Sequence, residues 1–219
     1  PGIPMLVARK GRIVYHKSHG FHTYKKRISV KNDHVYDIAS LTKIIGTLPL
    51  VIKSVDNSDF HLNSTLKDIL PEFKGSNKEN ITIKNMLSHF SYFTPWIPFY
   101  KETLNKRNKP KRKFYRKNKN NKFSILVSEN LYMRNSYKDQ MFEKIVKSPM
   151  LKNSESRYSD LPFYILKYYY EKKFNKDLSL IVQDQVINPL SLKNTSYFPL
   201  KDKNKAKIVP SEIDNYYRN

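Results

Sequence analysis

Along the first fifty residues, apolar and polar positions alternate before they settle into helical spacing. Met5-Leu-Val-Ala-Arg9 and Arg12-Ile-Val-Tyr-His16 are two short β-prone runs, and the Lys10-Gly11 pair between them predicts a hairpin. A third extended run, near His34 to Ile38, leads into Ser40. After it Leu41, Ile44, Ile45, Leu48, Val51 and Ile52 recur at helical spacing, with Thr42 and Lys43 on the first turn. Pro49 falls inside that pattern and must kink it or shift its hydrogen bonding, because proline has no N–H. Residues 66–104 read as short helices and loops, with Thr82 to Leu87 helical and Pro95 to Pro98 a bend. Phe123 to Leu131, Tyr137 to Val146, Leu161 to Phe174 and Leu178 to Val186 read as helices, the last ended by Asn188-Pro189. No internal repeat occurs. A sheet edge followed by a mostly helical region predicts an α/β (α+β) layer fold.

Asn105 to Lys122 breaks the pattern. It holds ten basic residues, no acidic ones and few apolar ones, which predicts a solvated loop or insertion in one domain spanning 1–219. A phosphate-binding arm is the functional alternative; loops accept such insertions cheaply, which favours the plain one.

Composition narrows the classes. A hydrophobic fraction of 39% argues against disorder, and the absence of any run of 18 apolar residues predicts no membrane span. With no cysteine, disulfide frameworks and thiolate metal sites are excluded. The net charge of +22 suits a basic nucleic-acid-binding domain as an alternative. Lysine, however, outnumbers arginine by more than three to one, as in an A/T-biased genome, whereas base readout favours arginine. No nucleic-acid partner is therefore expected. The six histidines show no His-Glu-x-x-His spacing and there is no glycine-rich phosphate loop, so neither metal nor cofactor is expected; His16, His19 and His22 are read as surface residues. Pro1 is not an initiator residue and no signal segment precedes it, which is expected of an excerpt or a processed piece.

The candidate chemistry begins at Val35-Tyr-Asp-Ile-Ala-Ser-Leu-Thr-Lys43. Residues at i and i+3 of a helix share a face, so Ser40 and Lys43 can converge as nucleophile and base. The spacing alone is weak, since Ser64-Thr-Leu-Lys67 repeats it. Ser64 precedes only a short run toward Pro71 and is read as a helix cap, a role equally open to Ser40.

Arg157-Tyr-Ser-Asp-Leu161 separates the two. With it, the chain resembles the serine β-lactamase and penicillin-binding-protein superfamily, especially its class C and esterase-like branch, in which a Ser-x-x-Lys motif opens the central helix and a Tyr-x-Asn motif brings a tyrosine over the serine. Ser40, Lys43 and Tyr158 match; Asp160 stands where that family has asparagine. Asn85-Met-Leu-Ser-His89 is similar to its Leu-Leu-x-His-Thr-Ser-Gly segment, with Tyr92 in place of the glycine. Asn188-Pro-Leu-Ser-Leu-Lys-Asn-Thr195 is similar to its Pro-Leu-Gly-Met-x-x-Thr stretch. Tyr36 to Lys43, Pro95 to Tyr100 and Tyr158 to Leu161 look similar to the serine-hydrolase module joined to family-three glycoside hydrolases in some bacteria.

The resemblance implies a β-lactamase/transpeptidase-like fold and a serine hydrolase working through an acyl-enzyme. Its substrate would be a small ester, an amide or a cell-wall peptide, its location the bacterial periplasm or cell envelope, and its partner in some cases a fused β-N-acetylglucosaminidase. Ser40 would be the nucleophile, Lys43 the base, Tyr158 a proton relay and Asp160 a substrate contact. As an acceptor-only group, Asp160 would serve differently from an amide and could pair with Lys43. The family's third element, a Lys/His-x-Gly strand supplying half the oxyanion hole, has no match, because no glycine follows Gly75. An incomplete domain, inactive or nearly so by itself, is the expectation, with a degraded, non-catalytic module as the alternative. Pro162 opens the helix after the tyrosine motif, where a first-turn proline is tolerated.

Overall fold

The computed structural model describes residues 2–152 and 155–211. Two strands open the chain, β1 (Ile3–Arg9) and β2 (Arg12–His19), followed by a 3₁₀ turn (Ala39–Leu41) and a π-turn (Lys43–Thr47). Short helices α1 (Leu48–Asp56), α2 (Leu66–Ile69), α3 (Ile83–Leu87) and α4 (Phe99–Thr103) come next. Strands β3 (Tyr115–Arg116), β4 (Phe123–Ser128) and β5 (Leu131–Arg134) then precede the long helices α5 (Asn135–Lys147) and α6 (Leu161–Phe174). Helices α7 (Leu178–Val182) and α8 (Pro199–Asp202) close the order, with a second π-turn (Gln183–Ile187) between them. The described residues fall into two compact units, one built from residues 2–46 and 179–211 and the other from the intervening 47–178.

In the first unit β1 and β2 pair antiparallel around Lys10 and Gly11, whose φ values of 49° and 74° make the tight turn that glycine favours. The apolar residues of this hairpin, among them Leu6, Val7, Ile13 and Val14, are exposed. Burial in this unit comes instead from Val30, Ile181, Val182, Val186, Ile187 and Val209. His22 corrects the expectation of a surface histidine: it is buried, and its Nε2 lies 2.7 Å from His34 Nδ1. Pairing with a partner twelve residues away is what makes burial of the ring tolerable.

The second unit owes its core to α6. Leu161, Ile165, Leu166 and Tyr170 recur at i, i+4 spacing and are fully buried, and Tyr170 Oη donates to Ser54 Oγ of α1 at 3.1 Å. Phe142 of α5 stacks on Tyr168 and meets Phe73 edge to face. Glu171 is buried; desolvation opposes its ionisation, yet Lys138 at 2.6 Å, Lys167 and the Leu178 N–H hold its carboxyl below the usual range. Lys78 is fully buried and caps the end of α5, donating to the Val146 carbonyl at 3.1 Å and to that of Ser148; burial pushes its ammonium down to about 8.

One predicted helix is not a helix. Phe123 to Leu131 forms β4 and the start of β5, in a sheet of order β3-β5-β4, with Asn130 at φ 54° in the turn. Strand β4 is six residues long with a continuous apolar run of only Ile125 to Val127, too short for periodicity to separate strand from helix. Strand β3 belongs to the basic segment. Phe114 and Tyr115 are buried with Tyr137 of α5, whereas nine of its ten basic residues are exposed and Lys111 is half-buried.

Candidate active site

The approach to Ser40 is held before it turns. Val35 N–H donates to the Lys207 carbonyl at 2.8 Å, Val209 N–H donates to the Val35 carbonyl at 2.9 Å, and Lys207 pairs with Asp33. Asp37 Oδ1 then accepts the Ala39 N–H at 2.8 Å, and Ala39 takes φ 43°, a left-handed conformation that costs a side chain about 1–2 kcal/mol. This reverses the extended chain into the 3₁₀ turn, with Leu41 N–H donating to the Ile38 carbonyl at 2.9 Å. Ser40 therefore lies inside a helical turn. Its hydroxyl makes no cap; it accepts from Lys43 Nζ at 3.1 Å. Ser40 is exposed and Lys43 half-buried. The π-turn runs from Lys43 to Thr47, and Pro49 falls in the first turn of α1 directly after it, where its missing N–H costs no helical bond.

Ser64 corrects the other reading. It is not the cap of α2; its Oγ accepts the His61 N–H at 2.9 Å, while Thr65 is the N-cap, donating through N–H and hydroxyl to Asp68 Oδ2 at 2.7 and 2.6 Å. Lys67 Nζ donates to Asn80 Oδ1 at 2.7 Å.

Tyr158 and Asp160 belong to the second unit, on a segment pinned residue by residue. Arg157 N–H donates to the His89 carbonyl at 2.9 Å, Ser159 N–H to His89 Nδ1 at 3.3 Å, Ser159 Oγ to the Thr94 carbonyl at 2.7 Å, and Asp160 N–H to the Pro95 carbonyl at 2.9 Å. The His89 and Tyr158 rings lie 4.7 Å apart. Ser159 is fully buried, which turns its neighbours outward: Tyr158 is 51% exposed and Asp160 half-buried. Asp160 is the N-cap residue of α6 without a side-chain capping bond, and Pro162 sits in the first helical turn. His89 is the residue that sequence reasoning passed over as a landmark; it is the anchor of the tyrosine segment.

Two landmark substitutions have a backbone signature. Tyr92 and Ser191 take φ values of 56° and 53°, so side chains stand at the two positions where the resemblance leads one to expect glycine, in the conformation glycine prefers. Among the described residues no group of three or more His, Asp or Glu could hold a metal, and no helix is long and apolar enough to cross a membrane.

A mixed helical and antiparallel-sheet fold of this kind is that of the β-lactamase/transpeptidase-like superfamily. The chain belongs to the Beta-lactamase family, whose model matches residues 1–207. It is 21% identical over 216 residues to Protein flp of Staphylococcus aureus strain MW2, covering 97% of this chain and 38% of that protein. It is 23% identical over 222 residues to the N-acetylmuramyl-L-alanine amidase of Bacillus subtilis strain 168, covering 94% of this chain and 45% of that protein. Among solved structures, a class C β-lactamase from Rhodobacter sphaeroides superposes with a TM-score of 0.63 at 14% identity, over 99% of this chain and 54% of that one. The chain thus spans less than half the length of these two curated relatives.

Proposed function

We propose that this protein is a serine hydrolase that works through an acyl-enzyme on Ser40. The observation that carries the proposal is the Lys43 Nζ to Ser40 Oγ hydrogen bond of 3.1 Å, which puts a base within proton-transfer reach of a nucleophile. In the first half-reaction the Ser40 oxygen attacks the substrate carbonyl while neutral Lys43 takes its proton. The tetrahedral oxyanion then collapses, the leaving group departs with a proton relayed through the Tyr158 hydroxyl, and water later cleaves the Ser40 ester. Asp160 is assigned to substrate contact on the acyl side. The Bacillus amidase supports an amide or cell-wall peptide substrate, and the class C β-lactamase fold keeps small esters and β-lactams in the set.

No glycine follows Gly75 within these residues, so the oxyanion donor expected from a Lys/His-x-Gly strand has no source in them. Loss of one such donor costs about 10²–10³ in rate, and residues 1–219 alone are expected to acylate slowly. One test is turnover of a chromogenic ester and a cephalosporin by the full-length polypeptide and its Ser40→Ala variant. Equal turnover by both would sink Ser40 as nucleophile.

Tyr92 and Ser191 favour a second reading, a module relaxed from catalytic constraint that supports a fused β-N-acetylglucosaminidase. Deleting the module from a fused parent would then lower glycosidase stability or activity; no change in either would remove this reading.

A further inference from the structure

The π-turn that carries Lys43 is packed against a tyrosine the mechanism does not use. A Cβ built on Gly46 would sit 2.7 Å from the Tyr197 hydroxyl and 3.8 Å from its ring carbon Cζ. Both residues belong to the first unit, and Gly46 is buried. The hydroxyl is itself buried and has no hydrogen-bond partner among the described residues, and burial pushes its pKa up. An orphaned buried hydroxyl is a cost that phenylalanine would avoid while filling nearly the same space. On the π-turn it faces the glycine three residues after Lys43. The same stretch of chain also grips the approach to Ser40, through Val35 and the backbone of Lys207 and Val209.

We infer that Tyr197 is a positioning residue for the Ser40/Lys43 pair: its hydroxyl, seated on Gly46, fixes the π-turn and thereby holds Lys43 Nζ against Ser40 Oγ. The inference rests on the serine-hydrolase reading. Glycine is needed at 46 while the hydroxyl is there, because a Cβ would meet it at 2.7 Å. Lys43 lies within the same π-turn, so a displacement at Gly46 is transmitted to it. Misplacement of a reacting group by about 1 Å can cost 10²-fold in rate.

A double-mutant cycle tests this in the full-length polypeptide, read by the rate and pH midpoint of fluorophosphonate labelling and by melting temperature. Gly46→Ala is expected to slow labelling at least tenfold, to move its pH midpoint, and to lower the melting temperature even though alanine ordinarily favours a helical segment. Tyr197→Phe alone is expected to slow labelling about two- to threefold without lowering the melting temperature, since a buried orphan is removed. In Gly46→Ala/Tyr197→Phe the new methyl meets a ring carbon at an ordinary contact distance. Labelling there should return to within about threefold of the wild type, and melting should rise to or above it. A double variant as slow as Gly46→Ala, or a Gly46→Ala variant with unchanged rate and midpoint, would overturn the inference. Ser40→Ala serves as the control: labelling undiminished in it removes the hydrolase reading and the positioning role together. The reversal in melting temperature then still reports whether Tyr197 seats on Gly46.

Discussion

The chain carries the same four-residue spacing twice and makes two different structures of it. At Ser40-x-x-Lys43 the serine lies inside a helical turn and the lysine reaches it at 3.1 Å. At Ser64-x-x-Lys67 the serine stops one residue short of the cap, closes a turn with the His61 N–H, and leaves the lysine to Asn80. Convergence at i, i+3 is a property of helical backbone, so a motif holds only when its first residue is already helical. What puts Ser40 inside is the reversal at Ala39, held by the Asp37 side chain.

The widest gap between the two sites is expected at the lysines. Lys43→Met should slow fluorophosphonate labelling about 10²–10³-fold, the scale of losing a general base, whereas Lys67→Met should leave it within about twofold. The second prediction inverts the first. Thr65→Ala removes a capping hydroxyl of α2 and should cost about 1 kcal/mol of stability in a denaturant melt with labelling unchanged.

A smaller effect is expected at the reversal itself. Ala39→Gly relieves a left-handed residue and loosens the unfolded chain less favourably, so its net stabilisation should be at most about 1 kcal/mol, while labelling falls because the turn is freer. A variant both more stable and equally reactive would show that the reversal does not hold the pair.

The smallest effect is a titration. Thr65 donates to Asp68 through its hydroxyl and its N–H, which hold that carboxyl below its ordinary value of 3.8. A depressed folded value means that the cap stabilises fully above the ordinary aspartate range and loses this contribution as pH falls through the lowered value. Carboxyl NMR titration should give a low pKa for Asp68 that rises in Thr65→Ala; no rise would break the assignment of the cap.

How much of this was legible depended on the reach of each residue's partners. Helix α6 was readable because its apolar residues recur over fourteen positions and end at Asn175, whose φ of 48° suits a C-terminal stop. The first hairpin was readable from Lys10-Gly11, whose turn geometry is local. Pro49 marked a break in the helical pattern, and it falls where the π-turn gives way to α1. Strands β4 and β5 are not legible in the sequence, because their apolar runs are short and their pairing is decided by neighbours. The cap of α2 is Thr65 and not Ser64, a difference local sequence cannot decide because both are good caps and only Asp68 chooses. Burial of Lys78 and His22, and the anchoring of Tyr158 by His89, rest on partners twelve to seventy residues away, beyond any local pattern.

At the site, Ser40 and Lys43 were legible as a pair only with the help of the tyrosine segment, since spacing could not tell them from Ser64 and Lys67. Tyr197 was not legible at all. Nothing in its neighbourhood in sequence marks it as the neighbour of Gly46, some 150 residues earlier.

Peptide mapping of a fluorophosphonate adduct by mass spectrometry tests the central claim most directly. In the full-length polypeptide the adduct is predicted on the peptide containing Ser40, absent in Ser40→Ala and undiminished in Ser64→Ala. An adduct on the Ser64 peptide, or one that persists elsewhere in Ser40→Ala at the wild-type rate, would contradict the account.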